Sequence, residues 1–72
     1  MRFKRHASER LIKRFQMSSD EVRHHIKTGK HIKKPEKEGN IGIIQSKIRD
    51  SQIRFVYVVR NKILWIITIE ET

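Results

Sequence analysis

The stretch QIRFVYVVRNKILWIITIE, residues 52–70, decides the fold. It is rich in β-branched and aromatic residues, as strands are. Its only polar break is Arg60–Asn61. So short a link joins antiparallel neighbours, so residues 52–59 and 62–70 read as a hairpin. Upstream, IGIIQSKI at 41–48 reads as a third strand, joined through Arg49, Asp50 and Ser51, and the three make a β-meander. In the middle strand Ile53, Phe55, Tyr57 and Val59 share one face, and Arg54, Val56, Val58 and Arg60 the other. In the last strand Ile63, Trp65, Ile67 and Ile69 alternate with Leu64, Ile66 and Thr68. Both faces are largely apolar, which predicts strands covered at least partly on both sides. Trp65 and Tyr57 fall among the Ile and Phe positions and are expected in the core, not as stacking surfaces for bases.

Two helices precede the strands. Over residues 7–15, Ala7, Leu11 and Phe15 recur every fourth position with Ile12 beside them, an apolar stripe at helical spacing. Glu9 and Lys13 are spaced as an i, i+4 ion pair. The second helix is punctuated by Ser18 as N-cap, with Glu21 completing a capping box and Met17 and Val22 placed as a hydrophobic staple. Asp20 and Glu21 suit the positive end of the helix dipole, and Lys27 suits the negative end. Gly29 is expected as the left-handed residue that ends it. RFKR at 2–5 reads as a short opening strand, and HIKKPEKEGN at 31–40 as loop with a brief strand at 31–33. The expected fold is one α+β domain over 1–72: two N-terminal helices packed on an antiparallel sheet of three or four strands.

With 72 residues, the chain buries only about 60% of its unfolded surface, so a large substrate cavity is excluded. The absence of cysteine excludes disulfides, zinc ribbons and thiol chemistry. His24, His25 and His31 do not have the spacing of a metal-ligand pair, so no metal and no cofactor is expected. No glycine-rich phosphate loop, Ser-His-Asp set or paired carboxylates are present, which argues against nucleotide hydrolysis, esterase or glycosidase chemistry. The longest apolar run, ILWIITI at 63–69, is far short of the roughly 20 residues a membrane helix needs. A soluble cytoplasmic protein without a membrane partner is expected.

The net charge is +9, from 17 Lys and Arg against 8 Asp and Glu. The excess is uneven: residues 1–37 hold 12 cations and 4 anions, and residues 38–72 hold 5 and 4. A basic half on a small domain is the electrostatic footprint of a nucleic-acid binder. Lys30, Lys33, Lys34 and Lys37 cluster in the central loop as candidate phosphate contacts, and Arg54 is a further one. In RHASERLIKRF, residues 5–15, the residues His6, Arg10 and Arg14 form a column on the helix shoulder, about 100° from the apolar stripe. A histidine can move a proton near neutral pH and an arginine can clamp a phosphate. A solvated shoulder is the competing reading of that column.

The opening RHASERLIKRFQMSSDEVRHHI, with its His-Ala-x-x-Arg motif, resembles that of a family of small proteins of unassigned function. With the paired strands of VYVVRNKILWIITIEE at the close, the chain is similar overall to the RelE/ParE toxin superfamily. His6, Arg10, Arg14, Glu21, Val22 and Thr68 carry the match. The chain departs from the pattern at Phe15–Gln16, where the family has a glycine. The resemblance implies a toxin-like endoribonuclease of a toxin–antitoxin system. It would cleave RNA, free or on the ribosome, without a metal, and a cognate antitoxin would cover it. His6 would act as general acid or base, and Arg10 and Arg14 would hold the phosphate. The alternative on the same fold is a non-catalytic module that binds nucleic acid or protein, as ParE-like inhibitors do.

Overall fold

The computed structural model describes all 72 residues. The elements follow in the order β1 (Arg2–Phe3), α1 (Arg5–Lys13), α2 (Ser19–Thr28), β2 (Lys30–Lys33), β3 (Gly42–Ile48), β4 (Ser51–Arg60) and β5 (Ile63–Glu71). The strands form one sheet in the order β1-β5-β4-β3-β2. The meander is as expected, and β1 and β2 extend it on either side. The sheet therefore has five strands, not three or four. It is mixed, because β1 pairs parallel to β5, with Arg2 beside Trp65 and Phe3 beside Ile66. The short strands expected at 2–5 and 31–33 are present as two and four residues, and both join the meander's sheet.

One irregularity reassigns a face. Val56 pairs with Thr68, but its neighbour Tyr57 pairs with Ile66, so Ile67 is an extra, unpaired residue on β5. Such a bulge flips the parity of every residue beyond it. Ile69, Ile66 and Leu64 fall on one face, opposite Phe55, Tyr57 and Val59. Trp65 and Ile63 fall on the other, opposite Val58 and Arg60. Strict alternation placed Trp65 with Ile69, and the structure corrects that: Tyr57 is core, and Trp65 is part-exposed on the opposite face.

Both helices lie on the Phe55 face, α1 against β5 and β1 and α2 against β3. Ala7, Leu11 and Val22 meet Ile44, Phe55, Tyr57, Ile66 and Ile69 in a single core, with Met17 closing the turn between the helices. Val58 alone among the buried apolar residues stands outside that cluster, beside Trp65. The other sheet face carries no helix. Its apolar residues do not report a second covering layer, contrary to the two-sided expectation.

Local chemistry explains the element ends. The capping box on α2 is complete, with the Ser18 hydroxyl accepting from Glu21 N and the Glu21 carboxylate accepting from Ser18 N, both at 3.1 Å. α1 begins two residues earlier than its apolar stripe suggests, and Glu9 pairs back to Arg5 at 3.3 Å. Gln16 takes the left-handed conformation after α1 (φ 52°). Gly29 is extended (φ −73°), not left-handed. It is needed for space: a Cβ there would lie 2.6 Å from both the His25 carbonyl and Ile44 Cγ2. The β4–β5 link is a two-residue turn with Asn61 and Lys62 both at positive φ, the geometry that matches sheet twist.

Gly42 faces Tyr57 across β3 and β4, and the buried phenol ring lies over it. A Cβ at that position would lie 2.6 Å from Tyr57 Cε1 and Oη. Because that Cβ would meet the ring of a buried side chain, Gly42→Ala is expected to destabilise the fold by about 1–3 kcal/mol, the cost of overpacking. Denaturant unfolding of the variant against wild type checks this, and equal midpoints would show that the ring moves aside freely.

Candidate nucleic-acid interface

His6 and Arg10 lie one turn apart on α1 and Arg14 follows at its C-cap, but the three side chains have different surroundings. His6 is exposed in the first turn of α1. Arg10 is part-buried and its Nη1 donates to the Ile69 carbonyl at 3.0 Å. That carbonyl lies past Ile66, the last residue of β5 that pairs with β1. Arg10 thus supplies a donor where the sheet edge has lost its strand, which is also how an edge is protected from other chains. Arg14 is exposed, 5.7 Å from the Phe15 ring centroid, and lines a cleft of about 160 Å³ with Ile48, Arg49, Ile53 and Glu71. Arg14 thus shares a cleft with Arg49 and Glu71.

The predicted phosphate contacts gather elsewhere. Lys30, Lys33 and Lys34 are exposed. Lys30 sits beside Gln45 and Lys33 beside Ile43, on the sheet face that carries no helix. Arg54 shares that face, and its Nε donates to Gln45 Oε1 at 2.8 Å, while Gln45 Nε2 donates to Gln52 at 3.2 Å. The face can be read in rows across the strands. The first runs Lys30, Gln45, Arg54, Glu70. The next runs Lys33, Ile43, Val56, Thr68. The third holds Val58, Trp65 and Arg2. Lys4 reaches the same place, its Nζ 4.5 Å from the Trp65 ring centroid, with Arg2 Cζ at 5.7 Å.

Arg2, Lys4 and Trp65 were not among the residues expected at a site. The signal for the cations was present: Arg2 and Lys4 alternate about Phe3, so a strand there turns both away from the core. No sequence signal marks the bulge that turns Trp65 toward them. Together the rows and Lys4 present five cations and the single carboxylate of Glu70 around an apolar centre.

The remaining histidines form no metal site: no group of three or more His, Cys, Asp or Glu converges anywhere in the molecule. His25 is half-buried, and its Nδ1 pairs with Ser46 Oγ at 2.9 Å. Burial lowers its pKa from the ordinary 6.5, the neighbouring His24 lowers it further, and Glu21 opposes both.

A helical layer on one side of a mixed sheet and a basic open face on the other define a small basic α+β domain. The chain belongs to the family described as Domain of unknown function (DUF4258), which matches residues 3–71. No curated protein and no solved structure matches it.

Two outcomes test this geometry. Arg10→Ala removes the donor to Ile69 and is expected to cost about 1–2 kcal/mol, as loss of a charged hydrogen bond does. Arg14→Ala, on an exposed residue, is expected to cost less than about 0.5 kcal/mol; equal losses in chemical denaturation would deny Arg10 its edge role. For His25, the unfolded chain binds the proton more tightly than the fold. Stability from this residue is therefore complete above the ordinary value of 6.5 and declines as pH falls below it toward the lowered value in the fold. The melting temperature of wild type should drop more than that of His25→Asn between about pH 7.5 and pH 5.5; parallel curves would refute the linkage.

Proposed function

We propose that this domain is a toxin-like RNA-binding module that holds RNA on the open face of its sheet. The observation that carries the reading is the set of cations in those rows, Lys30, Lys33, Arg54 and Arg2, with Lys4, against the single carboxylate of Glu70, on a face where no helix competes for space. Phosphate neutralisation by Lys and Arg supplies most of the affinity of such a surface, and apolar side chains between the cations receive the bases. Of the five, Lys30, Lys33 and Arg54 lie toward β2 and Arg2 and Lys4 lie beside Trp65, so the cations form a track across the face. A protein antitoxin, if one acts on this domain, would need acidic groups complementary to this face.

Binding is favoured over cleavage by the placement of the α1 column. His6 and Arg14 are eight residues apart, about 12 Å along a helix axis, whereas a general acid or base must come within hydrogen-bond reach of the reacting group. Arg10, between them, is engaged by Ile69. The domain therefore binds without cutting; metal-free cleavage through His6 is the rival that the resemblance implies. No helix of the molecule is long and apolar enough to cross a membrane.

Five phosphate contacts on a single strand imply a slope of about −3.5 in log affinity against log salt. Raising monovalent salt fourfold should then weaken RNA binding about a hundredfold. A flat salt response, or no binding at low salt, would remove RNA as the ligand. Cleavage of the same RNA by wild type and its loss in His6→Ala would instead establish the catalytic rival.

A further inference from the structure

We infer that Trp65 is a stacking platform that selects unpaired nucleotides, so that the ligand of the open face is a single strand and not a duplex. The inference rests on the RNA-binding reading and names the class of nucleic acid. Three observations converge on it. The bulge at Ile67 places the chain's only tryptophan on the uncovered face, where it is part-exposed. Its neighbour across the strands, Val58, is buried without belonging to the helix-covered core, so the indole stands on an apolar floor. Two cations lie within 6 Å of the ring, Lys4 Nζ at 4.5 Å and Arg2 Cζ at 5.7 Å.

That arrangement suits a nucleotide whose base is free. A base laid on the indole takes the place of the Lys4 ammonium, and Lys4 and Arg2 then meet the phosphates on either side. Lysine makes this exchange easily, because its charge sits on a flexible four-carbon stem. Four residues along β4, about 13 Å from the Trp65 row, the Arg54 and Lys30 row continues the path for the backbone. In a duplex the bases are already stacked and paired. An A-form helix offers proteins its phosphates, its 2′-hydroxyls and a shallow minor groove, none of which engages an indole face. A duplex would keep the contacts to the cations and lose those to Trp65.

Because Trp65 is the sole tryptophan, its fluorescence reports on this face alone. The full chain and its variants are titrated into a dye-labelled short oligouridylate, the same strand in a perfect RNA duplex, and oligothymidylate, at one fixed low salt concentration; affinity is read throughout by anisotropy of the label, and quenching of Trp65 is read in wild type. The expected result is quenching by the single strands and none by the duplex, with single-strand affinity higher by about tenfold or more. Quenching by oligouridylate at lower concentration than by oligothymidylate assigns the platform to RNA, and equal quenching assigns it to unpaired strands of either sugar; both support it. Trp65→Leu should erase the preference while leaving duplex binding unchanged, and Trp65→Phe should retain part of it. Melting temperatures of both variants verify the fold, and Trp65→Phe carries the test if the leucine variant fails to fold. Salt-sensitive binding with no quenching and no effect of either variant overturns the platform and leaves the RNA reading standing. Absence of binding to any oligonucleotide overturns both. Quenching by polyglutamate but not by oligonucleotides gives the face to an acidic protein and also overturns the platform.

Discussion

One unpaired residue, Ile67, governs how this domain divides its surface. Without it, Trp65 would lie under α1 with Ile69, and Ile66 would face solvent. With it, Ile66 and Ile69 both point into the core, fully buried, although they are three positions apart. A strand normally gives alternate residues to each face, so the bulge is what allows β5 to serve the core on both sides of it. Phe55, Tyr57 and Ile44 complete the core from the regular strands. The helices then need contribute only short apolar stripes, Ala7 and Leu11 from α1 and Val22 from α2.

The same division leaves the other face to polar work. A small domain cannot cover both sides of a five-stranded sheet with two helices of 9 and 10 residues. The uncovered side carries charge at its rim, and its middle stays apolar. The edges are managed separately. Arg10 stands in for a missing strand along β5, and β2 ends the sheet as four exposed residues carrying Lys30 and Lys33. A short, lysine-bearing edge resists pairing with other chains. The cations of β2 thus protect an edge and face the proposed ligand at once.

Much of this was legible in the sequence, and the remainder was hidden for identifiable reasons. The meander, both helices and the Ser18–Glu21 box each rest on local chemistry, so local reading found them. The opening strand at 2–5 is legible, but its parallel pairing with β5 joins residues more than sixty positions apart, which no window on the sequence contains. The bulge is equally silent, since Ile66, Ile67 and Ile69 have the same side chain. Gly29 was expected for its φ and turned out to serve the close approach of α2 to β3. Lys30, Lys33 and Arg54 stood out by charge and do share a surface. The α1 column stood out by spacing, but a helix shoulder can face a strand edge as well as a groove, and Arg10 went to the edge.

The claim that the open sheet face is the RNA surface is tested most directly by mapping amide shifts on adding single-stranded RNA at low salt. The account predicts changes at Arg2, Ile43, Arg54, Val56, Val58 and the Trp65 indole, with the exposed sides of α1 and α2 unmoved. Changes confined to α1 and the cleft around Arg14 and Arg49 would contradict it.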